Sequence, residues 1–154
     1  PLIQKEFSRI MSLKDGKKKM SKSDLSELSR INLTDDKDIM INKIKKAKTD
    51  SLPLPSSNTE LQERPEAKNL LGIYSSFTNS TLDKSIKEFD GRNFSDFKEK
   101  LCEVLVEKIN PISLEIKKLV NDKEFLEKIL LNGCKKANNI ASVKIKKMQE
   151  IMGF

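Results

Sequence analysis

Apolar residues recur at helical spacing through the second half of the chain. Pro65 suits the first turn of a helix, and the residues after it form an apolar stripe at Ala67, Leu70, Leu71, Tyr74 and Phe77. A short helix is predicted next, with an apolar face made by Leu82, Ile86 and Phe89. Asp90-Gly91 is typical of a helix end, because glycine readily adopts the left-handed conformation found there.

Further helices are predicted up to the end of the chain. One begins near Asn93 and carries the apolar positions Phe94, Phe97, Leu101, Val104 and Leu105. Asn110-Pro111 either kinks that helix or starts a new one, because proline donates no backbone hydrogen bond. The apolar face then continues through Ile112, Ile116, Leu119 and Val120.

The last part of the chain predicts two more helices. Asp122 can cap the first, whose apolar positions are Phe125, Leu126, Ile129 and Leu130, and Asn132-Gly133 is expected to end it. The second presents Ala137, Ala141, Met148 and Met152. We interpret all these stripes as core, which predicts an antiparallel helical bundle.

The first 30 residues are predicted to form an extended segment followed by a loop. Residues 1–13 predict an extended segment that leads into a turn at Asp15-Gly16, with apolar positions Leu2, Ile3, Phe7, Ile10, Met11 and Leu13. Residues 16–30 are polar and rich in Lys and Ser, which predicts a mobile loop.

A helix and a linker are predicted between residues 35 and 65. Residues 35–48 favour a helix capped by Thr34 or Asp35, with Met40, Ile44 and Ala47 on one face. Residues 49–65 contain Pro53, Pro55 and several Ser residues, which is typical of a linker.

The net charge of the chain suggests one class of binding partner. The 154 residues carry a net charge of +7, and only four of the 30 basic residues are arginine. This balance is compatible with a nucleic-acid partner and equally with a solvated lysine-rich surface. The chain starts at Pro1 without an initiator Met, so we expect a fragment or a processed product. Because no long apolar stretch occurs, we expect no transmembrane or secretory segment.

The chain contains no histidine. Ser-His-Asp and Cys-His catalysis are therefore excluded within it, and the commonest metal ligand is missing. Cys102 and Cys134 have no CxxC spacing, so no metal site is expected. We interpret them as reduced core thiols, with a disulfide as the alternative, and the carboxylates near Asp35 as helix caps.

The segment Lys18-Lys19-Met20-Ser21-Lys22-Ser23 is the strongest candidate for chemistry. Lys19 and Lys22 lie three apart in a predicted loop, so both ammonium groups can converge on one polyphosphate. Ser21 and Ser23 can add hydrogen bonds, and Met20 can pack on an adenine face. By itself the run is equally compatible with a basic surface loop or a nuclear-localisation-like patch.

The wider context resembles the class I aminoacyl-tRNA synthetases of the bacterial tryptophanyl type. Segments 9–13 (RIMSL) and 18–24 (KKMSKSD) are similar to that family's active-site loop and its leading strand. The resemblance continues, in similar order and spacing, at Asp35-Asp36, at 44–51 (IKKAKTDS), at 69–74 (NLLGIY), at Gly91, at 133–137 (GCKKA) and at 152–154 (MGF).

This resemblance implies a mainly α fold, in which a helical bundle follows the last strand and loop of a Rossmann-type catalytic domain. It implies three parts: residues 1–34 as the end of the catalytic domain, 35–65 as a connecting helix and linker, and 66–154 as the helical domain on the tRNA anticodon side. The family's His-x-Gly-His motif and its tryptophan pocket are expected upstream. The fragment alone is therefore expected to be inactive.

The resemblance also implies the roles of the site residues. Lys19 and Lys22 would hold and neutralise the pyrophosphate portion of ATP, which carries Mg²⁺. Met20 would lie near adenine, Ile10 would touch it through its backbone, and Ser21 and Ser23 would support the loop. The implied partners are ATP, tryptophan and tRNA in the cytoplasm, without a membrane. A homodimer is implied for the full-length enzyme, while the fragment is compatible with a monomer.

Several alternatives stay open at this point. A tyrosine-specific synthetase shares the architecture, although such enzymes usually carry an extra C-terminal RNA-binding module. A non-enzymatic helical module would bind nucleic acid through its lysines, and a purely structural helical domain would have no ligand. In the last helices, Lys135, Lys136, Lys144, Lys146 and Lys147 are candidate phosphate contacts, with a solvated face as the alternative.

Overall fold

The computed structural model describes residues 8–153; Leu2, Ile3, Phe7 and Phe154, which belong to segments predicted above, lie outside the described residues. Within this range the chain is mainly α-helical with a single two-stranded sheet, which confirms the predicted fold class. The strands are β1 (Met11–Ser12) and β2 (Asp15–Lys19), and the helices are α1 (Lys37–Lys45), α2 (Asn58–Gln62), α3 (Pro65–Thr78), α4 (Leu82–Phe89), α5 (Phe94–Asn121) and α6 (Lys123–Met152).

The chain divides into two compact units, one ending at Ser113 and the other starting at Leu114. In the first unit, α3 contacts β2, α2 and α4. Three aromatic rings, from α3, α4 and α5, meet edge to face: Tyr74 lies 4.9 Å from Phe89, and Phe89 lies 4.8 Å from Phe97, centroid to centroid. This buried aromatic cluster fixes α3 as a rigid base for the strands that pack on it.

Helices α3 and α4 form as the sequence predicts. Pro65 is the first residue of α3, where its missing N–H costs nothing. The Thr81 side chain caps α4 by accepting from the backbone N–H of Lys84. Gly91, just beyond the end of α4, has a φ of +65°, as expected for a left-handed stop.

Neither of the two predicted break points starts a new helix in the part of the chain that the structure describes. Pro111 lies inside α5, which continues on both sides of it, so the alternative of a new helix at Asn110-Pro111 is wrong. Asp122 caps α6 as predicted, but Gly133 does not end that helix; the left-handed residue is Gly153, with a φ of +83°. The prediction at Gly133 was wrong because a glycine inside a helix costs only about 1 kcal/mol relative to alanine.

The N-terminal predictions need three corrections. The predicted loop 16–30 starts with a strand, because β2 pairs with β1 across a turn at residues 13–14, before the predicted turn. A 3-10 turn at Glu27–Ser29 follows. The predicted linker contains α2, capped by Ser57, because Leu61 on that helix is buried in the core.

Helix α1 also begins later than predicted. The cap is Asp36, whose carboxylate accepts from the backbone N–H of Ile39 at 3.0 Å. Asp35 is instead buried and paired with Lys43. The helix also ends at Lys45, before the predicted end at residue 48. Met40 and Ile44 form the buried face of α1 as predicted, whereas Ala47 is buried but lies two residues beyond the end of the helix.

The stripes after residue 114 are not core. None of the described residues from Leu114 onward is buried, and Met148 and Met152 are largely exposed. Cys134 likewise is an exposed free thiol, whereas Cys102 is buried and free, and burial raises the pKa of its thiol. An apolar stripe becomes core only where another element covers it, which sequence periodicity cannot report.

Candidate functional site

The candidate basic loop is the continuation of a β-hairpin. β1 and β2 are antiparallel, with Met11 opposite Lys19 and Ser12 opposite Asp15, and the register is irregular between Met11 and Ser12. The backbone N–H of Met20 donates to the carbonyl of Ile10 at 3.0 Å, which extends the pairing by one residue. The hairpin therefore fixes the point at which the chain enters the loop.

The basic loop, which we define as residues 20–24, folds back on itself through its two serines. The Ser21 and Ser23 hydroxyl oxygens lie 3.0 Å apart, and the Ser23 N–H donates to the Ser21 hydroxyl at 3.3 Å. The Asp24 N–H donates to the Ser21 carbonyl at 3.4 Å. Half-buried Met20 packs against the core. The loop thus has a defined turn with its apolar residue turned inward.

The lysines of the site differ in their surroundings. Lys18 pairs with the Asp24 carboxylate at 3.2 Å. Lys19 and Lys22 are exposed, and among residues 8–153 no carboxylate lies within 4 Å of either ammonium group. These two positive charges are therefore uncompensated, which is the electrostatic condition for receiving an anion.

The Asp24 carboxylate binds one residue before the basic loop, Lys18, and one residue after it, Ser26. The carboxylate accepts from the Ser26 N–H at 2.9 Å. This backbone hydrogen bond, and then the hydrogen bond from Lys18, lower the pKa of the Asp24 carboxyl. Asp24 is therefore ionised at neutral pH and adds a fixed acceptor beside the free lysines.

The sequence reading missed Asn69, which fastens β1 to α3. Its side-chain oxygen accepts from the Met11 N–H at 2.9 Å, and its side-chain nitrogen donates to the Met11 carbonyl at 2.8 Å. Both backbone groups of Met11 are thereby satisfied by one amide. The available signal was a polar residue inside the apolar stripe of a helix.

Gly16 allows β2 to lie directly on the start of α3. A Cβ atom at this position would lie 2.5 Å from the carbonyl carbon of Pro65 and 2.6 Å from the nitrogen of Glu66. Nearby, Glu66 pairs with Lys48 at 2.9 Å, and that hydrogen bond is the main reason why the pKa of Glu66 is lowered. The hairpin is thus seated on α3 with no room for a side chain.

A cleft of about 640 Å³ opens beside this hairpin within the first unit. It is bounded by the hairpin entry on one side and by α2, α3 and α4, and its lining includes Arg9, Ile10, Met11, Gly16, Lys68 and Asn69. Of the residues predicted to contact the nucleotide, Ile10 lines it, whereas Lys19 and Lys22 do not. The structure therefore groups Lys19 to Ser23 at the end of β2 and in the turn that follows it, and it places Ile10 opposite Met20 and in the lining of the cleft.

The sequence that forms this hairpin and loop was compared with models of known protein families. Residues 2–110 match the model of the class I tRNA synthetases specific for tryptophan and tyrosine (W and Y). The chain belongs to this family. The match includes the hairpin, the basic loop and helices α1 to α4.

Individual members of the synthetase family match along the whole chain. The tryptophan–tRNA ligase of Brucella melitensis biotype 1 is 47% identical over 154 residues, all of this chain and 43% of that protein. That of Rickettsia felis is 48% identical over 153 residues, 99% of this chain and 46% of that protein. The chain thus spans less than half the length of these curated relatives and matches their C-terminal part.

A solved structure agrees with these sequence matches. The crystal structure of tryptophanyl-tRNA synthetase from Mycoplasma pneumoniae superposes with a TM-score of 0.68 at 25% identity, covering 98% of this chain and 45% of that protein. Among the residues described here, no helix is long and apolar enough to cross a membrane, and no group of three His, Cys, Asp or Glu side chains is placed to hold a metal ion.

Proposed function

We propose that this chain is part of a tryptophan–tRNA ligase. The whole enzyme would join tryptophan to ATP, giving tryptophanyl-adenylate and pyrophosphate, and would then transfer tryptophan to the 3′ end of its tRNA. The names of the relatives support this substrate. The observation that carries the proposal is the pair of uncompensated ammonium groups, Lys19 at the end of β2 and Lys22 on the basic loop that follows it.

In this proposal, the two free lysines act on the β- and γ-phosphates of ATP. Negative charge builds on the leaving pyrophosphate as its bond to the α-phosphorus breaks, so Lys19 and Lys22 stabilise the transition state more than the ground state. Mg²⁺ enters with ATP as part of the substrate. The exposed position of both side chains supports this role, because the phosphates can reach them from solvent.

The remaining loop residues take supporting roles. Ile10, which lines the cleft, would contact adenine through its backbone. Met20, at the start of the basic loop, would lie near adenine as well. Ser21 and Ser23 would maintain the turn through the hydroxyl contact already described. Closure of the loop on ATP would bring these groups together, as in other enzymes whose loops close over phosphates.

The proposal assigns three regions to the chain. Residues 1–34 complete the catalytic domain, 35–65 connect, and 66–154 form the domain on the anticodon side. The His-x-Gly-His motif and the tryptophan pocket would lie in the part of the enzyme upstream of this sequence, so this chain alone would be inactive. We further propose that the full-length enzyme works in the cytoplasm as a homodimer.

Helix α6 is the proposed tRNA contact. Lys135, Lys136, Lys144, Lys146 and Lys147 are exposed, and no carboxylate among the described residues pairs with them. Because binding to RNA phosphates releases counterions, this contact predicts that the affinity for tRNA falls steeply with salt concentration.

The test is amino-acid-dependent ATP–pyrophosphate exchange by the full-length protein that contains this chain. Exchange with tryptophan, followed by tryptophan transfer to tRNA, is the expected result. Exchange with tyrosine in place of tryptophan would contradict the substrate assignment while leaving the family assignment intact.

A further inference from the structure

Arg30 is a buried arginine that contacts the basic loop without being part of it. Its side chain is 11% exposed, and each donor group has its own acceptor. Nη1 donates to the Asp24 carbonyl at 2.9 Å, Nε donates to the Asn32 side-chain oxygen at 3.2 Å, and Nη2 donates to the Glu27 carboxylate. A planar guanidinium held by three acceptors has little freedom to rotate.

The contact with Asp24 places Arg30 at the downstream end of the basic loop. The Asp24 carboxylate is held by Lys18 and by the Ser26 N–H, and its own N–H is held by the Ser21 carbonyl. Its carbonyl is the remaining polar group, and Arg30 fixes that group. Lys22 therefore lies on a segment whose far end is fixed through Arg30.

A chain of polar contacts connects Arg30 to the core of the first unit. The Asn32 N–H donates to the Asp35 carboxylate at 2.9 Å, and the Asn32 side-chain nitrogen donates to the same carboxylate at 3.3 Å. The Lys43 ammonium lies 2.6 Å from Asp35, and both side chains are less than 10% exposed. Because every member is satisfied, this network holds Arg30 firmly with respect to α1.

We propose that Arg30 is a positioning residue for the phosphate chemistry of Lys19 and Lys22. It touches no phosphate itself; it fixes the carbonyl of Asp24, and with it the geometry of the basic loop, which carries Lys22 and follows directly after Lys19. This inference rests on the proposed function of the loop. A displacement of about 1 Å in a catalytic group can cost up to a hundredfold in rate, so a loosened loop should lower kcat.

The first experiment compares Arg30→Gln and Arg30→Lys with the wild-type full-length enzyme in tryptophan-dependent ATP–pyrophosphate exchange. Arg30→Gln should lower kcat by about tenfold or more, with a smaller change in the KM for ATP, because the contacts of the loop strengthen in the transition state. Arg30→Lys, which keeps the charge and one donor, should recover part of the loss.

Arg64→Gln is the matched control. Arg64 is similarly buried, at 14% exposure of its side chain, and it also holds a carboxylate and backbone carbonyls: Asp50, Leu52 and Pro53. None of these three partners belongs to the basic loop. Arg64→Gln should therefore lower the stability to a similar extent but leave kcat within about twofold of wild type, and thermal unfolding of each variant checks that it folds.

The second readout does not depend on activity. Limited digestion of the full-length protein with endoproteinase Lys-C, which cuts after lysine only, keeps the same cleavage sites in Arg30→Gln. Cleavage after Lys19 and Lys22, followed by mass spectrometry, should become several-fold faster in Arg30→Gln and stay unchanged in Arg64→Gln.

The possible outcomes separate the two claims. A kcat within twofold of wild type in Arg30→Gln overturns the positioning role, as does an equal loss in Arg64→Gln. A lower kcat with unchanged Lys-C cleavage also overturns it, because Arg30 would then not act through the loop. Absence of exchange in the wild-type enzyme contradicts the proposed function, and the cleavage rates still test whether Arg30 holds the loop.

Discussion

At the scale of single residues, side chains that hold backbone groups determine the shape of the site. The Asn69 side chain hydrogen-bonds both backbone groups of Met11, which precedes the free lysines in sequence. Arg30 donates to the carbonyl of Asp24, which follows them. The sequence predicts a role for Lys19 and Lys22 because their chemistry is carried by the residue type, and that role stays a prediction. Sequence reading missed Asn69 and Arg30 because their roles depend on partners 58 and 6 residues away in sequence.

Replacing Asn69 by alanine should destabilise the seating of the hairpin. The Met11 N–H and carbonyl would lose their partners, which typically costs about 1–3 kcal/mol for a group that stays away from water. Denaturant unfolding measures this change. Asn139→Ala, at an exposed position of α6, is the control and should change stability by less than about 0.5 kcal/mol. An equal stability of both variants would contradict the stabilising role of the two hydrogen bonds between Asn69 and Met11.

Tyr74 makes the stability of the folded chain depend on pH in the alkaline range. Burial, and then its hydrogen bond to Glu88 at 2.9 Å, raises the pKa of Tyr74 from 10.0 to about 12. Because the folded state favours the protonated phenol, this contribution to stability is complete below pH 10 and is lost as the pH rises towards 12.

The sequence has one tyrosine, so its absorbance titration reports this group directly in the 154-residue chain. The phenol should ionise near pH 12 in the folded state and near pH 10 in denaturant. Tyr74→Phe, which keeps the ring, should remove this part of the alkaline dependence. Ionisation at pH 10 under native conditions would show that the side chain is not buried as described.

At the scale of elements, the site is a hairpin seated on a helix, and the close contact at Gly16 makes this seating possible. Gly16→Ala would push β2 away from the first residues of α3, since the new methyl group meets backbone atoms that cannot move aside. We expect a loss of about 1–3 kcal/mol in the free energy of unfolding, or more, as for other overpacked sites.

Gly133→Ala is the matched control for the Gly16 prediction. This glycine lies inside α6, and apart from its chain neighbours and the adjoining backbone of its own helix, no described atom lies within 4 Å of an added Cβ. Here the same substitution should increase helix stability by up to about 1 kcal/mol, because alanine is the better helix former. Circular dichroism and denaturant unfolding of the two variants should change in opposite directions; changes of the same sign would contradict the packing described here.

The comparison of sequence and structure is also clearest at this scale. Helices α3 and α4 could be predicted because proline, caps and apolar spacing all agree there. Strand β2 could not, since its sequence DGKKK has no apolar alternation and its pairing depends on β1. In α6, the glycine and the apolar stripe are local signals, whereas continuity and exposure are set by what surrounds the helix.

At the scale of the whole molecule, the resemblance identified the family that the comparison with family models then showed. Neither charge nor composition would have done so, because a net charge of +7 fits many lysine-rich surfaces. The ordered series of motifs was specific where each motif alone was not. The relatives named tryptophan–tRNA ligase are more than twice as long as this chain.

The most direct test of the central claim is the effect of single lysine substitutions on tryptophan-dependent ATP–pyrophosphate exchange by the full-length enzyme. Lys19→Ala and Lys22→Ala should each lower kcat by about a hundredfold, as expected for loss of one electrostatic contact with the transition state, while tryptophan binding stays unchanged. Lys87→Ala, at an exposed position of α4, should keep the wild-type rate. Wild-type exchange rates in both loop variants would contradict the account.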